Sequence, residues 1–252
     1  MSVIAILQAR VSSSRLPGKV LRPILDKPML QHQIERVLQS KLIDKLVIAT
    51  SEQDEDTPLE SLALSLNVDC FRGSLDDVLD RFYCAAAVYS PTHVVRLTGD
   101  CPLIDPNVID KVIRHHLLSK ADYTSNGAPP TYPDGLDVEV ISLPILKQAF
   151  EEAVLLSDRE HVTPYIRKQP NRYHLENVTH TEDLSSLRWT VDELDDFNFV
   201  EEIYNQLYDK KPQFLMDDIL SSLNADPELV NINCKYLRNE GYLKSLKNDL
   251  SC

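Results

Sequence analysis

The stretch ARVSSSRLPGK, residues 9–19, sets Arg10, Arg15 and Lys19 among Ser12, Ser13 and Ser14, with one proline and one glycine, directly after an apolar run. Cationic side chains neutralise anionic oxygens, serine hydroxyls and backbone N–H groups donate to them, and Gly18 permits the backbone conformations of a tight loop. Those are the requirements of a polyphosphate cradle, although the loop matches neither GxxxxGK[ST] nor GxGxxG, and a solvated basic loop has the same composition. Two acids offer complementary chemistry. Asp100 follows HVVRLTG and Asp192 follows SLRWTV, each at the end of a β-rich run. Such a pair suits magnesium, which takes hard oxygen ligands and fills its remaining positions with water and substrate phosphate. Each aspartate taken alone serves equally well as the cap of a following helix.

These residues need elements to position them. SVIAILQ, KLVIAT, VDCF and THVVRLTG read as strands, and PMLQHQIERVLQSK, PLESLALSLN and LDDVLDRFYCAAAVYS between them carry apolar residues at helical spacing. That alternation predicts an α/β fold: a doubly wound, mostly parallel, Rossmann-like sheet covered on both faces. Ligands of such sheets lie beyond the carboxyl ends of the strands, which puts the 9–19 loop and Asp100 in the ligand crevice. In the second half LDVEVIS, RYHLENVT and SLRWTVD read as strands, and LPILKQAFEEAV and DDFNFVEEIYNQLY as helices. The tail from Met216 reads as helical with breaks at Pro227 and Gly241. SNGAPPTYPDG punctuates the chain past its middle and marks an excursion from the main sheet. The chain is thus expected to be one domain over 1–252, with a substrate or pairing lobe at 125–185 and a helical tail at 210–252.

Composition narrows the partners. The 252 residues are 43% hydrophobic and 26% charged, as in a globular protein, and a net charge of −13 disfavours nucleic acid, whose binding depends on basic surface. No apolar run is long enough to span a membrane. The five cysteines show no CxxC pair, which argues against a zinc site or a disulfide framework and fits a reducing cytoplasm. His115 and His116 lack acidic or cysteine partners at ligand spacing and are read as surface residues. Cys101 has no histidine placed near it and is read as packing rather than as a nucleophile.

The run QARVSSSRLPGKVLRPILDKPMLQHQIERVLQS resembles the opening of the cytidylyltransferases that activate acidic sugars, the 3-deoxy-manno-octulosonate and acylneuraminate cytidylyltransferases. FRGSLDDVLDRF, RLTGDCPLID, YPDGLDVEVIS, DREHVTPYI and RWTVDELDDFNFVEEI resemble the branch named for spore coat polysaccharide biosynthesis protein F. The resemblance implies the nucleotide-diphospho-sugar transferase fold, a homodimer, and activation of a sugar with CTP to a CMP-sugar and pyrophosphate for surface or spore coat polysaccharide. It places nucleotide phosphates on Arg10, Ser14, Arg15 and Lys19 and magnesium on Asp100 and Asp192, with Asp195 and Asp196 as competing choices in DELDD. The cytosine end falls on Arg72, Gly73, Ser74 and Asp76, although Ser74, Asp76 and Asp77 equally describe an ordinary helix start. For the sugar, Asp134, Gly135, Asp137 and Glu139 offer acceptors or a turn. Arg159 and His161 offer partners for a carboxylate or phosphate, unless Glu160 and His161 merely satisfy each other. Catalysis is expected from Arg15, Lys19 and Asp100.

Departures leave the sugar open: TGDCP stands where the octulosonate enzymes carry QGDEP, and the GGSKGIP loop of the sialic acid enzymes is absent. Two rivals share the architecture. A glycosyltransferase would carry a DxD metal motif, for which only DCFRG and DEDTP are present; a non-catalytic nucleotide-sugar binding module would have no need of these cations and acids together.

Overall fold

The computed structural model describes residues 2–249, so the final residues of the expected tail, Cys252 among them, lie outside the described residues. Valine- and isoleucine-rich runs form the strands because their stiff branched side chains pack well on a pleated surface. β1 (Val3–Gln8), β4 (Lys45–Ser51), β5 (Asp69–Gly73) and β6 (His93–Thr98) pair in parallel in the order β5-β4-β1-β6. A small hairpin of β2 (Pro23–Ile24) and β3 (Lys27–Pro28) stands apart. Beyond β6 the sheet changes sense. β8 (Glu139–Ser142) runs antiparallel to both β6 and β7 (Tyr123–Ser125), and β9 (Leu175–Asn177) closes the seven strands parallel to β7.

Helices cover both faces, as a sheet with apolar strands on both sides requires. One face carries α1 (Met29–Val37), α2 (Thr57–Ser65), α4 (Pro106–Ser119), α8 (Leu194–Leu207) and α9 (Met216–Ala225). The other carries α3 (Val78–Tyr89), α5 (Leu143–Glu152), α6 (Leu156–His161) and α7 (Pro164–Arg167). Capping follows the residue types: the Asp77 carboxylate accepts from the Asp80 N–H at 2.9 Å to start α3, and Asp105 accepts from Asn107 at 2.7 Å to start α4. No helix among the described residues is long and apolar enough to cross a membrane.

Several expectations need correction. SLRWTVD joins no ladder: only Arg188 bridges to Asp134, so Asp192 ends an extended segment rather than a strand. β7 was unanticipated, because YTS is too short to show a pattern. α3 begins at Val78, which makes Asp77 the cap and leaves Ser74 to accept the Asp77 N–H at 3.0 Å. Gly241 lies inside the first turn of α10 (Glu240–Asp249), and the break precedes it, at Asn239 with φ of +62°. His116 is not a surface residue. It is fully buried, with Nδ1 2.9 Å from Thr124 Oγ1 and Nε2 2.9 Å from His93 Nδ1.

Burial, with His93 next in strength, pulls the His116 imidazole down to about 4. Folded His116 therefore stays neutral where the unfolded chain takes a proton, near pH 6.5. The stability this contributes is complete above about pH 6.5 and is lost as the pH falls toward about 4, by up to about 3 kcal/mol. Urea denaturation at about pH 7.5 and about pH 5 is expected to show a smaller loss for His116→Gln than for the native chain; equal losses would remove His116 from the account.

Candidate active site

The carboxyl ends of β1, β4, β5 and β6 open on one edge of the sheet, and the segment after β1 lies across them. It is pinned from a distance. The Val11 N–H donates to Asp56 Oδ1 at 2.7 Å, while Asp56 Oδ2 accepts from the N–H and hydroxyl of Ser51 at 3.1 and 2.5 Å. The Gly18 N–H returns to the Val11 carbonyl at 3.0 Å, with Gly18 at φ +70°, and Leu16 is buried beneath the loop. Asp56 is thus a positioning residue absent from the sequence reading, where DEDTP offered only a weak metal motif.

This loop delivers Lys19 to the centre of the crevice. Lys19 Nζ donates to the Val191 carbonyl at 2.6 Å and to Asp192 Oδ1 at 2.9 Å, and lies 3.4 Å from Asp100 Oδ2. Burial alone would lower the Lys19 ammonium, but Asp100 and Asp192 outweigh it and hold it above its ordinary value. The Asp100 carboxyl, which burial would raise, is held below its ordinary value by Lys19, Thr98 and Cys101. Burial drives the Cys101 thiol well above its ordinary value, the state of a packed thiol rather than a nucleophile.

Within DELDD the structure separates three roles. Asp192 faces Lys19; Asp195 turns to Lys235 at 2.7 Å; Asp196, fully buried, takes a two-point bond from Arg188 at 2.8 and 2.9 Å. Asp196 also accepts the N–H groups of Asp192 and Glu193, both at 2.9 Å, which fixes the turn that presents Asp192. Arg188 reaches on to Asp134 at 3.2 Å and Asp192 at 3.4 Å. Arg15 meets Asp192 at 2.8 Å and Glu240 at 3.8 Å. The second pair, 35% and 41% exposed, is worth under about 1 kcal/mol and is readily displaced by an incoming anion. Arg10 and Ser14 are exposed and make no hydrogen bond among the described residues.

Beside this centre lies a pocket of about 510 Å³ lined by Gln53, Phe71, Arg72, Gly73, Ser74 and Asp76, among others. Arg72 is committed to its walls: Nε donates to the Ser51 carbonyl at 3.1 Å and Nη2 to the Gln53 carbonyl at 2.8 Å, and Nη1 meets Glu60 at 3.0 Å. Asp76 is exposed. Beneath, Arg81 donates to the Ser74 carbonyl at 2.6 Å, and burial and the nearby charge of Arg10 bring its guanidinium down to about 10. No sequence signal singled out Arg81.

The remaining candidates divide. Gly135, at φ +112°, presses on the chain opposite: a Cβ there would stand 2.6 Å from both Trp189 C and Thr190 N, so only glycine lets the Asp134 turn lie against the Asp192 segment. Burial, with the charge of Asp137 next, pushes the Asp134 carboxyl up to about 7 despite Arg238 and Arg188. Glu139 lies part-buried among Arg96, Tyr123 and Thr163, the latter two donating at 2.5 and 2.6 Å. Arg159 is taken up structurally, holding Asp77 at 2.5 to 3.0 Å and the Phe150 carbonyl at 2.7 Å. His161 bonds Ser245 at 3.0 Å, which also donates to Glu160 at 2.7 Å, so Ser245 bridges the two, whose side chains also lie 3.8 Å apart. Arg167, by contrast, has a side chain that makes no hydrogen bond among the described residues; its Nε is buried without an acceptor, and its guanidinium sits 5.6 Å from the Tyr242 ring. Its charge is offset by the nearby Glu139 carboxylate, which holds the guanidinium above its ordinary value against burial, and sequence reasoning chose its neighbours instead.

Comparison with known proteins matches these features to a family. The cytidylyltransferase family pattern fits residues 4–221. The chain is 34% identical to spore coat polysaccharide biosynthesis protein SpsF of Bacillus subtilis, over 90% of this chain and 95% of that one. A 3-deoxy-manno-octulosonate cytidylyltransferase of Geobacter metallireducens is 35% identical over 45% of this chain and 44% of its own. The solved cytidylyltransferase of Leptospira borgpetersenii superposes with a TM-score of 0.87 at 30% identity, covering 91% of this chain and 97% of that one. With that pattern running from the first strand into α9, and the loop, Asp100 and Asp192 meeting at one crevice, the chain belongs to the cytidylyltransferases.

Proposed function

We propose that the protein joins CTP to a sugar, giving a CMP-sugar and pyrophosphate for surface or spore coat polysaccharide. The supporting observation is the convergence of Lys19, Asp100, Asp192 and Arg15 at one point of the crevice. The reaction forms a bond from a sugar hydroxyl oxygen to the α-phosphorus and breaks the bond to the β-phosphate oxygen. It needs positioned reactants and compensation of charge on the departing pyrophosphate, and no covalent protein nucleophile.

In this reading Lys19 and Arg15 exchange their carboxylate partners for β- and γ-phosphate oxygens, and exposed Arg10 and Ser14 add donors at the mouth. Arg72, Gly73, Ser74 and Asp76 line the pocket for cytosine. Asp134, Gly135, Asp137 and Glu139 lie at the sugar end, and Arg167 faces an anionic group there, which favours an acidic sugar. Asp100 and Asp192 fit magnesium, because two hard oxygen donors approach one cation from separate segments and leave the remaining positions to water and phosphate. The ion would supply electrostatic stabilisation of the phosphate oxygens during transfer. We assign residues 125–185 to the sugar and to pairing in a homodimer, and place the enzyme in the cytoplasm, where Cys70, Cys84, Cys101 and Cys234 remain free thiols.

Calorimetry with magnesium is expected to show CTP binding more tightly than UTP or GTP; equal affinity for all three would remove the base assignment. Pyrophosphate release should require both CTP and a sugar, with acidic sugars ahead of neutral ones. Lys19→Ala and Asp100→Asn are each expected to lower that rate by about 100-fold or more while leaving the melting transition cooperative. Near-native release from either variant would falsify the roles given to Lys19 and Asp100.

A further inference from the structure

The family pattern ends at residue 221, yet the chain returns to the crevice after it. Asn233, almost fully buried, anchors the return by donating to the Arg188 carbonyl at 2.9 Å and to Asp196 Oδ1 at 3.0 Å. The Leu237 carbonyl accepts from Arg188 at 3.3 Å. Arg238 then inserts its guanidinium into the sugar end: Nη2 donates to Asp137 Oδ1 at 2.5 Å, Nη1 to the Tyr132 carbonyl at 3.0 Å, and Nε lies 3.8 Å from Asp134 Oδ1. Only 15% of this side chain is exposed. Immediately afterwards α10 packs on α6, with Tyr242 edge-on to His161 at 5.1 Å and the Asp249 carboxylate accepting the Ser157 N–H at 3.0 Å.

We propose that Arg238 is a positioning residue for the sugar, holding the Pro133–Asp137 turn so that its two carboxylates face the acceptor in one fixed arrangement. The physical need is plain. Asp134 and Asp137 are neighbouring acids in a part-buried turn, and without a cation between them they repel each other and turn toward water. Arg238 does this from three sides at once, since its planar fork binds a carboxylate, a backbone carbonyl and a second carboxylate, a geometry that an ammonium cannot reproduce in full. The strap also touches the triphosphate loop, where Glu240 lies 3.8 Å from Arg15, but the bonds of Arg238 itself all go to the Tyr132–Asp137 stretch, so its effect falls on the sugar rather than on the nucleotide. The inference rests on the proposed CTP-dependent transfer for its kinetic consequence, and on geometry alone for the ordering of the turn.

Two measurements on Arg238→Ala and Arg238→Lys decide it. Pyrophosphate release is followed with CTP and, in turn, 3-deoxy-manno-octulosonate, N-acetylneuraminate, glucose 1-phosphate and glucose. With the sugar that the native protein uses, Arg238→Ala is expected to raise the sugar KM by roughly 10- to 100-fold, the range for a lost hydrogen bond to a charged group, with Arg238→Lys recovering part of it and the CTP Kd unchanged. An unchanged sugar KM, or a CTP Kd weakened by the same factor, overturns the proposal. Amide hydrogen exchange over residues 134–138 needs no acceptor: it should quicken in Arg238→Ala while exchange in β1 and β6 stays native. Unchanged exchange in the turn also overturns it. Should the native protein release no pyrophosphate with any of the four sugars, the functional reading falls, while exchange still judges Arg238.

Discussion

An ammonium group held between two carboxylates from distant parts of the chain is the constraint around which this molecule is arranged. Asp100 and Asp192 outweigh the burial that would lower the Lys19 ammonium, and the ammonium in turn offsets the charge of both acids. Each member depends on a separate support. The Asp56 carboxylate ties down the loop that carries Lys19, β6 delivers Asp100 at its carboxyl end, and Asp196 with Arg188 fixes the turn that presents Asp192. The arrangement is polar and satisfied within the protein itself, as buried charges must be.

Arg188 extends the same logic. It is buried, and its five donors are divided among Asp196, Asp134, Asp192 and the Leu237 carbonyl, so one side chain joins the segment that presents Asp192, the Asp134 turn and the C-terminal strap. A small displacement at any of these points is felt at the others, because a close-packed polar network has few intermediate arrangements.

Much of the fold was legible because it rests on local pattern. The parallel core showed itself through strands buried on both faces alternating with one-sided helices, and the ARVSSSRLPGK turn fell in the crevice by the rule that strands end at ligands. What escaped depends on contacts between distant residues. Tyr123–Ser125 is a strand because β8 and β9 flank it, whereas SLRWTVD has the composition of a strand but no neighbour to pair with. Arg159 and Arg167 look equivalent in sequence; only the fold puts Asp77 beside the first and leaves the second without an acceptor. His116 sits at a helical position that sequence assigns to solvent, and its burial follows from the placement of Thr124 and His93. Asp56 stands in sequence only within DEDTP, a poor metal motif, which hides its reach back to Val11.

The reversal of β8 against β6 has an evolutionary consequence. Because β8 enters the sheet from the opposite direction, the start of that strand and the turn leading into it meet the ends of the parallel strands at the same rim. One half of the crevice is thus furnished by residues up to Asp100 and the other by a later stretch of chain that joins the same sheet. Substitutions in the later stretch can therefore reshape one side of the rim while the parallel strands that carry the Lys19 loop and Asp100 keep their ladders.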